Sequence, residues 1–149
     1  MNDIQQKLQS AMAYAMKNRP KVGGFPFLAE CLRKAGVEKN IWSLPSAQSI
    51  YITKEGSVVN QGTPLISGMS DVPIFNEEIL IKALRTDQAG ESTFIEFILS
   101  AWNAGVVSYE VDFINRTVSY RGALGEEYVE SYPKVEVGED DELDILMFV

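Results

Sequence analysis

The chain has no histidine and only one cysteine, Cys31, in 149 residues. Imidazole is the usual proton shuttle near neutral pH and the commonest metal ligand. Its absence removes Ser-His-Asp triads and Cys-His pairs, and it strips zinc chemistry of its usual ligands. One cysteine cannot form an internal disulfide, which fits a reducing cytoplasm. No G-x-x-x-x-G-K-[ST] run or dinucleotide fingerprint occurs, so Gly23-Gly24 and Gly62 make no phosphate loop. No apolar run approaches bilayer length, and the first residues read as no secretion signal. No cofactor and no metal are expected, and the chain reads as non-enzymatic.

What is present is ordinary globular material, with 46% apolar and 23% charged residues. The length suits a single domain. The net charge is −8, unevenly spread. Residues 1–39 hold seven cations and three anions; residues 40–149 hold six cations and eighteen anions. The acidic body disfavours nucleic acid as a partner. The basic start is expected to meet the acidic tail of its own chain or of a neighbour. Inhibitory mimicry of nucleic acid by an acidic face over 126–144 is a weaker third reading.

Asn2 reads as the cap of a first helix with an Ile4, Leu8, Ala11, Met12, Ala15 stripe, ended by Pro20. Pro26 and Gly36 bracket a second helix over Pro26–Ala35. Ser49–Thr53 and Ser57–Val59 read as strands around a Lys54-Glu55-Gly56 turn. Asn76 caps a third helix that Gly90 stops. Thr93 and Glu96 form a capping box for a fourth helix to Ala104, apolar almost all round and so expected to be buried on most sides. Val107, Tyr109, Val111 and Phe113 alternate with polar residues, turn at Asn115-Arg116, and return over Thr117–Arg121. Glu127–Tyr132 adds a third strand. This order predicts a single α+β domain of helical pairs packed on antiparallel β-hairpins. No internal repeat is evident. Residues 138–149 form an acidic, apolar-ended tail, and Ile145, Leu146, Met147, Phe148 and Val149 are expected to dock on the domain or on a second copy.

Several stretches resemble a known family: Gly24 to Arg33 (GFPFLAECLR), Leu44 to Ser49 (LPSAQS), Gln61 to Leu65 (QGTPL), Ala83 to Phe94 (ALRTDQAGESTF) and Ala101 to Tyr109 (AWNAGVVSY). Together they are similar to the YbcV/YdfO-like family of small bacterial proteins of unknown function. These are often prophage-encoded, and some are labelled phage envelope protein. The resemblance covers most of the chain and implies a compact α+β domain. It carries over no activity and no catalytic residue.

Two polar groupings stand out. Arg85, Asp87 and Gln88 lie at a helix junction with Glu91, Ser92 and Thr93; capping explains most of them, and a small ligand anchored on Arg85 is the sharper reading. Ser46, Gln48, Tyr51 and Gln61 could recognise a peptide or polar molecule, or simply form the solvent face of a half-buried sheet. Glu110 and Asp112 share a strand face as a weak acid–base or cation pair. Cys31 reads as a packed small hydrophobe. Trp42 is expected to be partly exposed and Trp102 buried. The sequence therefore points to a cytoplasmic binding or accessory protein, plausible as a prophage product and as a homodimer. The alternative is a small enzyme or ligand sensor with a polar cleft around Arg85, Asp87 and Gln88.

Overall fold

A computed structural model of the chain describes residues 3–137. The elements run α1 (Asp3–Asn18), α2 (Gly24–Lys34), β1 (Val37–Ser43), β2 (Gln48–Thr53), β3 (Gly56–Gln61), α3 (Glu77–Gln88), α4 (Phe94–Asn103), β4 (Val106–Asp112), β5 (Thr117–Gly122) and β6 (Glu127–Ser131). The strands form one antiparallel sheet in the order β3-β2-β1-β4-β5-β6. This is the expected α+β fold. The Asn2 cap and the 138–149 tail lie outside the described residues.

The caps form where the side chains allow them. Asn76 Oδ1 accepts from Ile79 N at 3.1 Å. Thr93 and Glu96 close the reciprocal box at 2.9 and 3.1 Å. One strand was missing from the sequence reading. β1 carries Glu38, Lys39 and Asn40, a polar run without alternation. Asn40 is nevertheless buried, and its amide Nδ2 donates to Ile50 O on β2 at 3.1 Å. That bond lets a polar residue sit at the sheet centre.

Absence of an internal repeat was the wrong reading: the fold is a duplication. Residues 3–61 and 77–131 each run ααβββ, and β1 meets β4 as the two halves' first strands. One constant spacing relates equivalent positions. It carries left-handed Gly36 onto Gly105, Ala47 onto Arg116 and Gly56 onto Gly125. Ala47 and Arg116 are the only described non-glycine residues with positive φ, 53° and 56°. It carries the register break between Val37 and Lys39 onto that between Val106 and Ser108. It also exchanges two backbone bonds, Leu44 N to Val107 O and Phe113 N to Glu38 O, both 3.0 Å. A local two-fold axis therefore passes through the Ile41–Glu110 pair. Side-chain identity barely repeats; positions with demanding backbone do, and composition hides them.

Alternation sends one set of strand side chains under the helices. Trp42, Tyr109, Tyr120 and Tyr128 form a row across β1, β4, β5 and β6, with Trp42–Tyr109 and Tyr120–Tyr128 stacked and Tyr109–Tyr120 tilted. Phe94 and Phe97 of α4 meet Trp42 and Tyr120 edge-on. The other sheet face shows Ile50, Val59 and Val129 exposed. The expectation that α4 is buried on most sides is also corrected. Phe97, Ile98, Ala101 and Trp102 are buried, but Phe94, Ile95 and Leu99 are exposed. A single helical layer covers the sheet, so Ile95 and Leu99 face outward, while Phe94 keeps its edge-on contact with Trp42 and stays partly exposed. Among the described residues no helix is long and apolar enough to cross a membrane.

Candidate functional site

The duplication is not symmetric in what it encloses. Each half has a space beside the glycine that ends its second helix. In the second half, that space is filled by the chain itself. Residues 74–76 run into the cap of α3, Asn76 N donates to Ala104 O at 2.8 Å, and Phe75 lies against Gly105 and Gly122. A Cβ on Gly105 would come within 2.5 Å of Phe75 N and 2.6 Å of Ile74 C. Gly105 is buried. In the first half, the equivalent Gly36 is exposed, and a Cβ there would meet none of the described residues within 4 Å.

An open cleft of about 400 Å³ occupies this first-half position. Its walls are α1, the C-terminal end of α2 and the β2–β3 hairpin. Ile4, Leu8, Val58 and Tyr51 supply an apolar floor, and Ile114 reaches in from the β4–β5 turn. Among the described lining residues, Lys7, Arg33, Lys34 and Lys54 supply cations and Glu38 and Glu55 carboxylates, and Arg33 is also paired with Glu30. Lys7 faces Glu55 at 4.0 Å, joining α1 to the hairpin. The C-terminal carbonyls of α2 carry partial negative charge, which Arg33 and Lys34 complement. The volume is in the range of ligand sites, and the mix of apolar floor and charged rim suits an amphipathic guest.

Arg33 is oriented by Glu30, with Nη2 donating to Oε2 at 3.0 Å. Burial alone would raise the Glu30 carboxyl; the Arg33 hydrogen bond and charge outweigh it and hold the group below its ordinary 4.5. A folded-state value lowered in this way adds stability above the ordinary value and loses it as the pH falls through the folded one. Glu30→Gln should therefore cost roughly 1–2 kcal/mol at neutral pH. The gap to the wild type should close as the pH drops below 4.5. Urea midpoints from pH 7 to 3 check this, and a gap constant over that range would contradict it. Nearby Cys31 is buried, and burial pushes its thiol up to about 11, so it stays protonated and packed.

The residues singled out from sequence fall into three places. Ser46, Gln48 and Gln61 meet at one edge of the sheet: Gln48 Nε2 donates to Gln61 Oε1 at 3.0 Å, and Gln61 Nε2 to Ser46 O at 2.7 Å. Ser46 Oγ donates to Ser43 Oγ at 2.9 Å. Tyr51 lies apart from them, buried and facing the cleft, its hydroxyl raised by burial. Arg85 and Gln88 gather around Glu130 of β6. Arg85 Nη2 sits 2.7 Å from Glu130 Oε2, Gln88 Nε2 donates to Oε1 at 3.1 Å, and Tyr128 OH donates to Oε2 at 2.7 Å. Burial works to raise Glu130, and these three donors overcome it and hold the carboxyl low. Asp87 is turned elsewhere and accepts from Ser92 Oγ at 3.2 Å; burial raises its carboxyl, with Ser92 and Arg19 opposing. Asp112 accepts from Ile114 N, Asn115 N and Asn115 Nδ2, closing the β4–β5 turn. No group of three metal-ligating side chains occurs among the described residues. Ile145–Val149 lie outside them.

Sequence reasoning did not assemble the cleft. Its signal was the cationic excess of residues 1–39, which the fold gathers from both ends of that stretch, with Lys54 joining from the hairpin.

Residues 13–130 match the model of the family described as Protein of unknown function (DUF1398). The chain is 52% identical over 129 residues to the uncharacterized protein Rv2012 of Mycobacterium tuberculosis, covering 87% of this chain and 79% of the relative. The same figures hold for the uncharacterized protein Mb2035 of Mycobacterium bovis.

Proposed function

The chain belongs to the family described as Protein of unknown function (DUF1398), and we propose that it is a binding protein without catalysis. Its ligand is an acidic peptide segment carrying an aromatic or large aliphatic residue. The observation that carries this reading is the first-half cleft, open where its second-half counterpart is filled by Phe75. A cationic rim, in which Lys34 and Lys54 stand beside the Lys7–Glu55 and Arg33–Glu30 pairs, and an apolar floor reward a guest with carboxylates on one side and an apolar group on the other. The remaining candidate polar groups support it from the other direction. Most of them complete turns, caps and cross-strand pairs instead of converging on a vacant reaction centre.

The lone buried cysteine supports a cytoplasmic setting. The resemblance to YbcV/YdfO-like proteins supports a prophage-borne accessory role. Selection of peptides from a random display library tests the binding reading. Enriched sequences should pair acidic residues with an aromatic, and Lys34→Glu/Lys54→Glu should abolish the enrichment. No enrichment, or enrichment indifferent to the charge reversal, would refute it.

A second reading, a small enzyme or ligand sensor around Arg85, Asp87 and Gln88, is favoured by one observation: the carboxyl of Asp87 is raised by burial. Small-molecule binding lost specifically in Asp87→Asn would support that reading, and its absence across a metabolite panel would remove it.

A further inference from the structure

We propose that the outer edge of β3 is a self-association site. A second copy of this chain adds its own β3 there, antiparallel, with the two Val59 residues facing each other at the two-fold axis. The proposal does not depend on the cleft.

The ladder fixes which groups the edge presents. In an antiparallel pair, hydrogen-bonded and non-hydrogen-bonded positions alternate, so a strand turns its N–H and C=O groups to one side and the other by turns. Thr53 and Gly56 close a two-residue hairpin turn and so form a hydrogen-bonded pair, which makes Tyr51–Val58 and Ser49–Asn60 hydrogen-bonded pairs as well. Gly62 N continues that phase by donating to Ala47 O at 2.8 Å. Ile50 lies between these pairs and turns its carbonyl the other way, where Asn40 Nδ2 donates to it. Ser57, Val59 and Gln61 therefore turn their backbone N–H and C=O groups away from β2. Among the described residues no strand lies beyond them.

The composition leaves this edge unguarded. Sheet edges are normally blunted by charge, proline or a bulge. β3 reads Gly-Ser-Val-Val-Asn-Gln, with no charged residue and no proline, and its pairing with β2 runs without a register break. The opposite edge, β6, holds Glu127 and Glu130, with Arg121 at 3.2 Å from Glu127 and Pro133 shortly after the strand.

The register selects a second copy as the occupant. An antiparallel two-fold through Val59 sets Ser57 against Gln61 of the second copy and Gln61 against its Ser57. This is the register that uses all three outward residues on both strands. A shift by one residue would set outward groups against inward ones. The centre is a pair of β-branched side chains on the face where Val59 is exposed. No like charges meet, because Lys54 and Glu55 lie in the turn beyond the paired stretch. That matters for a chain of net charge −8, whose copies repel on most other approaches. The contact is isologous and closes at two copies, whereas β3 on β6 would run on as an open filament. One short edge buries less surface than a standard interface, so the dimer depends on concentration.

Sedimentation velocity of the full chain over a range of concentrations tests this. The wild type should pass from monomer to dimer. Val59→Lys sets like charges together at the axis and should raise the dimer dissociation constant about tenfold or more. Val59→Pro removes an N–H that β2 does not use, so it should abolish the dimer while circular dichroism stays that of the wild type. Val129→Lys, on the other edge strand, should leave the dimer unaffected. A short bismaleimide should join two copies of Val59→Cys and not of Val129→Cys, since Cys31 is buried and does not compete. A monomer at every concentration would overturn the proposal. So would a dimer indifferent to both Val59 variants, or one broken by Val129→Lys. Amide exchange at Ser57, Val59 and Gln61 should slow as the dimer fills. Slow exchange there in a monomer would place another stretch of the same chain on the edge and would equally overturn it.

Discussion

Gly105→Ala is expected to destabilise the protein by at least about 3 kcal/mol, or to prevent folding, while Gly36→Ala costs only roughly 1–2 kcal/mol. Both glycines end a helix with positive φ, 87° and 100°. Both substitutions therefore pay the strain of a left-handed alanine. Only at Gly105 does the new methyl also run into backbone, that of Ile74 and Phe75. Backbone pinned by the Asn76–Ala104 hydrogen bond cannot step aside cheaply. Urea denaturation of the two variants measures the difference. Equal losses would mean that the two helix ends are equally crowded, and the open first-half cleft would not exist as described.

Leu44→Ala and Phe113→Ala should each cost about 3–5 kcal/mol, more than alanine replacement of any exposed apolar residue on α4. Leu44 and Phe113 are equivalent under the duplication, each at the corner where the first hairpin of its half turns. Their exposures are 0% and 1%. Each donates its N–H across the two-fold axis to the other half, at 3.0 Å. Truncation leaves a cavity beside two halves at once, which relaxes poorly. Calorimetric midpoints check the pair, with Ile95→Ala as the surface reference. A corner variant as mild as Ile95→Ala would argue that the two halves are not clamped at these points.

Much of the fold is legible in the sequence, because its signals are local. The Thr93–Glu96 box, the Asn76 cap, the helix-ending glycines and the alternation of Val107–Phe113 each act within a few residues. β1 is illegible for the opposite reason. Its stability comes from pairing with β2 and with the distant β4, and Asn40 tolerates burial because Ile50 O accepts a hydrogen bond from its amide. The duplication was hidden for a related reason. What repeats is a set of backbone conformations, such as the left-handed turn at Ala47 and Arg116, and these residue types do not look alike. The polar candidates were read as two groups, and the fold splits them differently. Gln48 and Gln61 pair across β2 and β3, Arg85 and Gln88 find Glu130, and Tyr51 alone joins the cleft. Glu130 carried no local mark of its role, since its partners are supplied by α3 and by Tyr128 two residues before it on the strand.

The cleft was the least legible part. Lys7, Arg33, Lys34 and Lys54 come from three elements, and no spacing rule links them. Only the regional excess of positive charge pointed their way, and it pointed equally to any anionic surface. What turns that excess into a site is geometry: a space beside Gly36 that the other half fills with Phe75.

Photo-crosslinking from the rim of that space tests the account most directly. A benzophenone side chain in place of Ile114, which is exposed at the cleft mouth, should capture an added acidic-aromatic peptide. The same group in place of Val129, on the uncovered sheet face, should not, and Lys34→Glu/Lys54→Glu should erase the Ile114 product. Crosslinks that ignore acidic segments, or that survive the charge reversal unchanged, would contradict the assignment of this cleft as the binding site.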